Sequence, residues 1–130
     1  MINFRIDTRS GVPPYLQLVQ QVRQALRMGV LRVGDQLPTV REVVTAVAIN
    51  PNTVLKAYRD LEREGLVEGR PGLGTFVRRL PPGPPPTAFG ALTRGLDRWV
   101  RNAREAGLDD ESIQALVQAA LRANESEVVA

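Results

Sequence analysis

Residues 37–58, LPTVREVVTAVAINPNTVLKAY, constrain the fold more than any other stretch of this chain. Thr39 and Glu42 have the spacing of a capping box, in which two residues satisfy each other's free backbone donors at a helix start. Asn50 followed by Pro51 is typical of the start of a second helix. Apolar residues recur at helical spacing in both segments. We therefore expect two short amphipathic helices joined by a tight corner, which is a helix-turn-helix.

The first of these helices contains a conflict between residue type and spacing. Residues 43–49, VVTAVAI, are rich in β-branched residues, which by themselves favour a strand. The apolar positions do not alternate, however, but recur every three or four residues, at Val40, Val43, Val44 and Val47. This spacing places them on one face of a helix, and we therefore predict a helix.

The segment after the second helix predicts a β-hairpin. Residues 66–70 and 75–79 have the period-two pattern of strands, and they flank the turn sequence Pro71-Gly72-Leu73-Gly74. A tip that contains Gly72 and Gly74 lacks bulky groups, so its backbone is able to lie close to a phosphate or a minor-groove wall. We place Arg70 near the base of the hairpin, where it adds positive charge.

A further helix is predicted upstream, where apolar residues share one face from Tyr15 to Leu26 and Gly29 provides a stop signal. The connector that follows is expected to form a short strand at Leu31 and Arg32. The resulting order is helix, helix-turn-helix and hairpin. This order is that of a winged helix, in a chain that is mainly α with a small β-hairpin.

Residues 81–86, PPGPPP, mark the clearest boundary in the sequence. Such a run favours an extended, semi-rigid spacer. The alternative is a proline-rich ligand for a recognition domain, but a position between two helical regions favours a linker. We therefore predict a winged-helix domain over residues 1–80, a linker over residues 81–86 and a helical tail over residues 87–130.

Two amphipathic helices are predicted in the tail, one over about residues 87–106 and one that starts at Asp109. Two helices of this size cannot enclose a core, so their apolar stripes must pack on the first domain or on a second copy of the chain. The proline spacer favours the second copy over a helical hairpin that folds back on its own chain. The predicted dimerisation residues are Leu92, Leu96, Trp99, Ile113, Leu116 and Val117.

Composition removes several classes of function. The 130 residues include neither cysteine nor histidine, which removes thiolate metal sites, cysteine nucleophiles and the commonest general base. We expect no enzymatic activity, no cofactor and no bound metal. No apolar run approaches the ~18 residues of a membrane span, and the first seven residues lack the apolar core of a signal peptide. We therefore expect a cytoplasmic protein without a membrane partner.

Charge is distributed unevenly along the chain, whose net charge is +3. Residues 1–80 carry 12 basic and 7 acidic side chains, whereas residues 81–130 carry 5 and 7. The excess of positive charge lies with the helix-turn-helix, as expected if that half of the chain contacts phosphates. The same charge also serves solubility, so it supports nucleic-acid binding without deciding it.

Four segments together closely resemble the GntR family of bacterial transcription regulators. They are LPTVRE at 37–42, NPNTVLKAY at 50–58, LEREGL at 61–66 and GLGTFV at 72–77. The NPNTV segment and the short tail resemble the YtrA-type branch, whose members have a two-helix dimerisation tail and are typically associated with control of transporter operons. The resemblance implies a homodimer that binds double-stranded DNA at a palindromic operator and represses transcription.

The resemblance also implies roles for particular residues. It implies that Arg41 contacts DNA from the first helix of the motif, and it places three side chains on the recognition-helix face and two glycines at the wing tip: Asn52, Thr53, Lys56, Gly72 and Gly74. Many family members have arginine where this chain has Pro51 and Leu55, so base contacts are not carried over to those two positions. A small-molecule effector is left open, and the alternative function is a winged-helix module that binds protein rather than DNA.

Overall fold

The computed structural model describes the backbone of residues 2–129 and the side chains of residues 2–125. Within these residues the chain is mainly helical with a two-stranded antiparallel sheet, as predicted. It divides into two compact units, residues 1–89 and residues 90–130. The elements are α1 (Pro14–Arg27), α2 (Val40–Val47), α3 (Pro51–Arg63), β1 (Val67–Arg70), β2 (Gly74–Val77), a 3-10 turn (Pro86–Ala88), α4 (Phe89–Glu105) and α5 (Asp110–Val129).

The starts of α2 and α3 confirm the capping predicted from the sequence. The Glu42 backbone N–H donates to the Thr39 hydroxyl at 3.1 Å, and the Thr39 backbone N–H donates to the Glu42 carboxylate at 3.2 Å. The Asn50 side chain accepts from the Asn52 backbone N–H at 2.8 Å. Because the caps satisfy donors that a helix start leaves free, they define where both helices begin.

Helical spacing outweighs β-branched composition in α2. Val43 is buried there, and Val40, Val44 and Val47 pack against the core as half-buried side chains. The helix ends at Val47, and the next residue, Ala48, adopts a left-handed conformation with φ of 52° and begins the corner before α3. The predicted helix at this position is confirmed.

The core of the first unit lies chiefly between α1 and α3. Each helix contributes the apolar face predicted from its sequence, and the side chains of Leu18, Val22, Val54 and Leu61 are fully inaccessible to solvent. Complete burial of one such side chain contributes about 1.5–3 kcal/mol to folding. The α1–α3 packing therefore fixes the orientation of α3 in this unit.

Tyr58 connects α3 to the segment that precedes α2. Its hydroxyl donates to the carbonyl oxygen of Pro38 at 2.6 Å in a buried position. Burial raises the pKa of Tyr58, and the nearby negative charge of Glu42 raises it further. The phenol therefore stays protonated and keeps donating throughout the physiological pH range.

The hairpin has the predicted turn, and a third segment lines its outer strand. Val67 pairs with Val77 and Arg70 pairs with Gly74. The connector, residues 34–37, exchanges backbone hydrogen bonds of 2.8–2.9 Å with β2. The strand predicted at Leu31 and Arg32 is wrong, because the Leu31 backbone N–H donates to the Ala25 carbonyl oxygen at the end of α1, at 3.1 Å. The connector pairs with β2 further along, at Gln36.

The second unit confirms the helices predicted in the tail. The Asp109 carboxylate accepts from the Ser112 backbone N–H at 2.8 Å and so caps α5, and this bond lowers the pKa of Asp109. Arg104 and Asp110 form an ion pair of 2.7 Å across the corner between the helices. Among the residues that the structure describes, no helix combines the length and apolarity that crossing a membrane requires.

Candidate nucleic-acid interface

The surface of α3 opposite the core is polar and basic. Val54, Ala57, Tyr58 and Leu61 are buried, so the remaining side of the helix faces solvent. Thr53 is half-buried at the edge of this surface, and the exposed polar side chains of α3 are those of Asn52, Lys56, Arg59, Glu62 and Arg63. The Glu62 carboxylate accepts from the Gly69 backbone N–H in the hairpin at 3.3 Å. The predicted Asn52, Thr53 and Lys56 thus lie within about one turn of one another on α3.

Lys56 is not free on this surface. Its ammonium nitrogen lies 3.9 Å from the centroid of the Tyr15 ring, in the first turn of α1. Sequence analysis assigned Tyr15 to the apolar face of α1 and gave it no part in the site. The sequence contains no local signal for this contact, because 41 positions separate the two residues.

Arg41 occupies the first turn of α2 and is exposed. In the described part of the chain it makes no ion pair within 4.0 Å, so its guanidinium is available to a ligand. The capping box of Thr39 and Glu42 fixes the turn that carries it. These observations fit the DNA contact implied for Arg41, which stays a prediction.

The wing tip consists of Gly72, Leu73 and Gly74, with both glycines at positive φ, 75° and 125°. Leu73 between them is 66% exposed. The Gln36 side chain donates to the Leu73 carbonyl oxygen at 3.1 Å, and a Cβ added to Gly74 would lie 2.5 Å from the Gln36 amide nitrogen. Gln36 therefore braces the tip. This contact has no local signal in the sequence, because Gln36 and Leu73 are 37 positions apart.

Arg70 lies elsewhere in the hairpin than predicted. It pairs with Gly74, which places it at the tip end of the hairpin rather than near the base. Its guanidinium contacts the Glu68 carboxylate at 3.2 Å and lies 4.6 Å from the centroid of the Phe76 ring. The predicted strand already ended at Arg70, directly before Pro71, so its placement near the base was a wrong interpretation of a correctly predicted strand end.

Pro51 and Leu55 are the positions where many family members carry arginine. Pro51 is the first residue of α3 and is exposed, and Leu55 is 37% exposed. The structure therefore presents apolar rather than charged surface at both positions. An exposed apolar side chain on a recognition helix is chemically suited to a thymine methyl group, not to a guanine edge.

The tail presents most of the predicted dimerisation residues to solvent. Leu92 is 70% exposed, Leu96 57%, Trp99 38% and Leu116 48%. Val117 is half-buried, and Ile113 is only 7% exposed within the single chain. Ile113 therefore has little surface left for a partner, unlike the other predicted residues. None of the residues of α4, all of which the structure describes, is buried.

The described residues contain no group of three or more carboxylates that could hold a metal ion. Their functional side chains are hydrogen-bond donors and cations instead, on α2, α3 and the hairpin. Groups of these types are suited to contacts with phosphate and base edges.

Residues 14–77 match the family described as bacterial regulatory proteins, gntR family. The chain is 38% identical over 104 residues to the HTH-type transcriptional regulator Rv1152 of Mycobacterium tuberculosis, covering 80% of this chain and 82% of that protein. It is 48% identical over 73 residues to the HTH-type transcriptional repressor YtrA of Bacillus subtilis. That alignment spans 56% of each protein, so the chain covers little more than half of this relative's length.

A solved structure of YtrA from Sulfolobus acidocaldarius, a GntR-family transcription factor, is also similar. Its TM-score is 0.56 at 26% sequence identity, and the match covers 78% of this chain and 99% of that one. The relatives are transcription regulators and not enzymes, in agreement with the expectation from composition. The winged helix, the sequence identity and the structural similarity agree: the chain belongs to the GntR family of DNA-binding bacterial transcription regulators.

Proposed function

We propose that this protein is a cytoplasmic repressor that binds a two-fold symmetric operator as a homodimer. The observation that carries the proposal is the polar, basic surface of α3, which α1 holds outward by packing on the opposite side of the helix. In this proposal α3 enters a major groove, with Asn52 and Thr53 at base edges. Arg41 contributes to sequence readout from α2, and the wing tip approaches the adjacent backbone or minor groove.

The exposed apolar side chains of the tail support the homodimer. A face that exposes Leu92, Leu96, Trp99 and Leu116 leaves apolar surface in water that a second copy would bury. Trp99 is the natural anchor, because tryptophan carries much of the binding energy at interfaces.

In this proposal the bound dimer represses transcription by occluding a promoter. Repression is supported by the name of the similar B. subtilis protein, a transcriptional repressor. The YtrA-type branch that the sequence resembles is associated with transporter operons, so we propose a transporter operon as the regulated locus. Any small-molecule effector would act on this DNA-binding step.

Selection of bound fragments from a random DNA pool by the full chain tests the proposal. We expect an enriched two-fold symmetric site whose half-sites lie about one helical turn, or a multiple of it, apart. The enriched site should bind at least ~1,000-fold more tightly than random DNA at physiological salt. Asn52→Ala is the matched variant and should reduce the preference by about 1–3 kcal/mol while it keeps the fold.

Recovery of no enriched sequence would contradict the proposal and favour the alternative, a winged-helix module that binds protein. Recovery of a single, asymmetric half-site would leave DNA binding intact and contradict the homodimer. The two parts of the proposal are therefore tested separately by one experiment.

A further inference from the structure

The contact between Lys56 and Tyr15 joins the exposed surface of α3 to the first turn of α1. The Lys56 ammonium lies over the face of the ring at 3.9 Å from its centroid. A cation within about 6 Å of an aromatic face is attracted by the ring's electrons. Among the described residues no carboxylate lies within ion-pairing distance of Lys56, so the ring is the partner that orients it.

The Tyr15 ring is itself held firmly. Tyr15 is half-buried and packs against the core, and it directly precedes the part of α1 that is buried against α3. Leu18 and Val19 follow it by three and four residues and are almost completely buried. The ring therefore has a fixed position relative to α3. A lysine side chain has a flexible four-carbon stem, and here its charged end rests on a rigid surface.

We propose that Tyr15 is a positioning residue for DNA binding, which holds the Lys56 ammonium beside α1 for contact with a backbone phosphate. This inference rests on the proposed function, because it takes α3 as the helix that meets DNA. An ammonium is a compact charge with three donors, which suits a phosphate and lacks the planar fork that reads guanine. Lys56 then adds affinity for any DNA, while sequence preference comes from other side chains.

The position of Lys56 on α3 supports this division of roles. It lies one turn further from the helix start than Asn52, and a recognition helix reads bases mainly from its N-terminal residues. The tether to α1 directs the ammonium toward the side of α3 that packs on the domain. Asn52, with no such tether in the described structure, stays free to address a base edge.

A set of four full-length variants tests the proposal by fluorescence anisotropy with the selected operator and with random DNA. Lys56→Met removes the charge, Tyr15→Leu removes the ring but keeps apolar volume, Tyr15→Phe keeps the ring, and the double variant combines the first two. We expect Lys56→Met to weaken binding to both DNAs alike, by about eightfold at 0.1 M salt, and to reduce the salt slope by about one.

Tyr15→Leu should weaken binding by about threefold, because the DNA must then order a lysine side chain that the ring had already ordered. Tyr15→Phe should bind as the wild type does. The double variant should be no weaker than Lys56→Met, since Tyr15 acts only through Lys56. As a matched control, Arg59→Met removes an exposed charge of α3 that contacts no ring in the described structure. Its effect and that of Tyr15→Leu should multiply.

Three outcomes would overturn the inference. Tyr15→Leu that weakens the Lys56→Met protein as much as the wild type would show that Tyr15 acts through the fold. Lys56→Met that weakens the operator far more than random DNA would make Lys56 a base reader. A Tyr15→Phe protein as weak as Tyr15→Leu would show that the hydroxyl matters rather than the ring. If the wild type itself shows no operator preference, the proposed function has failed instead.

Discussion

The two units of this chain differ in how far their apolar side chains are buried. In residues 1–89 the apolar faces of three helices close on one another, and side chains such as Leu18 and Leu61 are completely buried. In residues 90–130 the apolar stripe of α4 stays exposed, with Leu96 at 57% and Trp99 at 38%. The first unit therefore carries its own core, whereas the second leaves apolar side chains in water, as expected if the proposed dimer interface covers them.

The largest expected effect is on the free energy of unfolding, from a substitution in the core of the first unit. Leu18→Ala should lower the free energy of unfolding by about 2–5 kcal/mol, because it leaves a cavity between α1 and α3. Chemical denaturation followed by circular dichroism measures the change. Leu73→Ala, at the exposed wing tip, is the control and should change the free energy of unfolding by less than about 0.5 kcal/mol. Equal effects in the two variants would contradict the packing described for α1.

A substitution in the exposed stripe of the tail should change the dimer dissociation constant rather than the fold of the chain. Trp99→Ala should raise the dimer dissociation constant by at least about 30-fold, equivalent to about 2 kcal/mol, because it removes an interface anchor. Sedimentation velocity over a range of concentrations measures the constant. Leu80→Ala offers a matched control, since Leu80 is 39% exposed but lies outside the tail. A dimer unaffected by Trp99→Ala would place the interface elsewhere.

Arg41 tests whether DNA binding belongs to the first unit and not to the second. Arg41→Ala should weaken operator binding by about 1–3 kcal/mol if its guanidinium reads a base, with a smaller loss for random DNA. Anisotropy titrations with both DNAs measure the difference. Arg98→Ala removes an exposed arginine of α4 and should leave operator affinity nearly unchanged. An equal loss of affinity in the two variants would remove Arg41 from the interface.

The wing should show the smallest effect. Gly74→Ala should lower the free energy of unfolding by about 1–2 kcal/mol, because alanine is strained at positive φ. Its Cβ would also displace the Gln36 amide from its position beside the turn. Gly72→Ala meets the same kind of backbone strain, but a Cβ there has no neighbour within 4 Å. Operator affinity should therefore fall further for Gly74→Ala than for Gly72→Ala. Identical losses would show that Gln36 does not brace the tip.

Features decided by neighbouring residues were predictable from the sequence. The capping box of Thr39 and Glu42, the Asn50 cap and the helical spacing in α2 each involve residues a few positions apart, and the structure confirms them. A capping box upstream and an unbroken helical period outweighed the strand preference of β-branched valines. Local chemistry was therefore sufficient for the helix-turn-helix.

Features that depend on tertiary packing were not predictable. The ring of Tyr15 reaches Lys56 only because α1 packs on α3, and Gln36 reaches the wing only because the connector lines β2. Arg70, by contrast, was placed near the base although the predicted strand ended there directly before the turn, so that error did not come from missing tertiary information. Ile113 was grouped with the exposed stripe, since helical spacing identifies an apolar face without showing what covers it.

The proposed function requires two chains, joined through their tails, on one operator. The mass of the protein–DNA complex, measured by sedimentation equilibrium with the selected duplex, tests it most directly. We predict two 14.3-kDa chains on each duplex, and at the same protein concentration a large loss of the complex for Trp99→Ala. A single chain on each duplex, bound as tightly as the wild-type complex and unaffected by Trp99→Ala, would contradict the account.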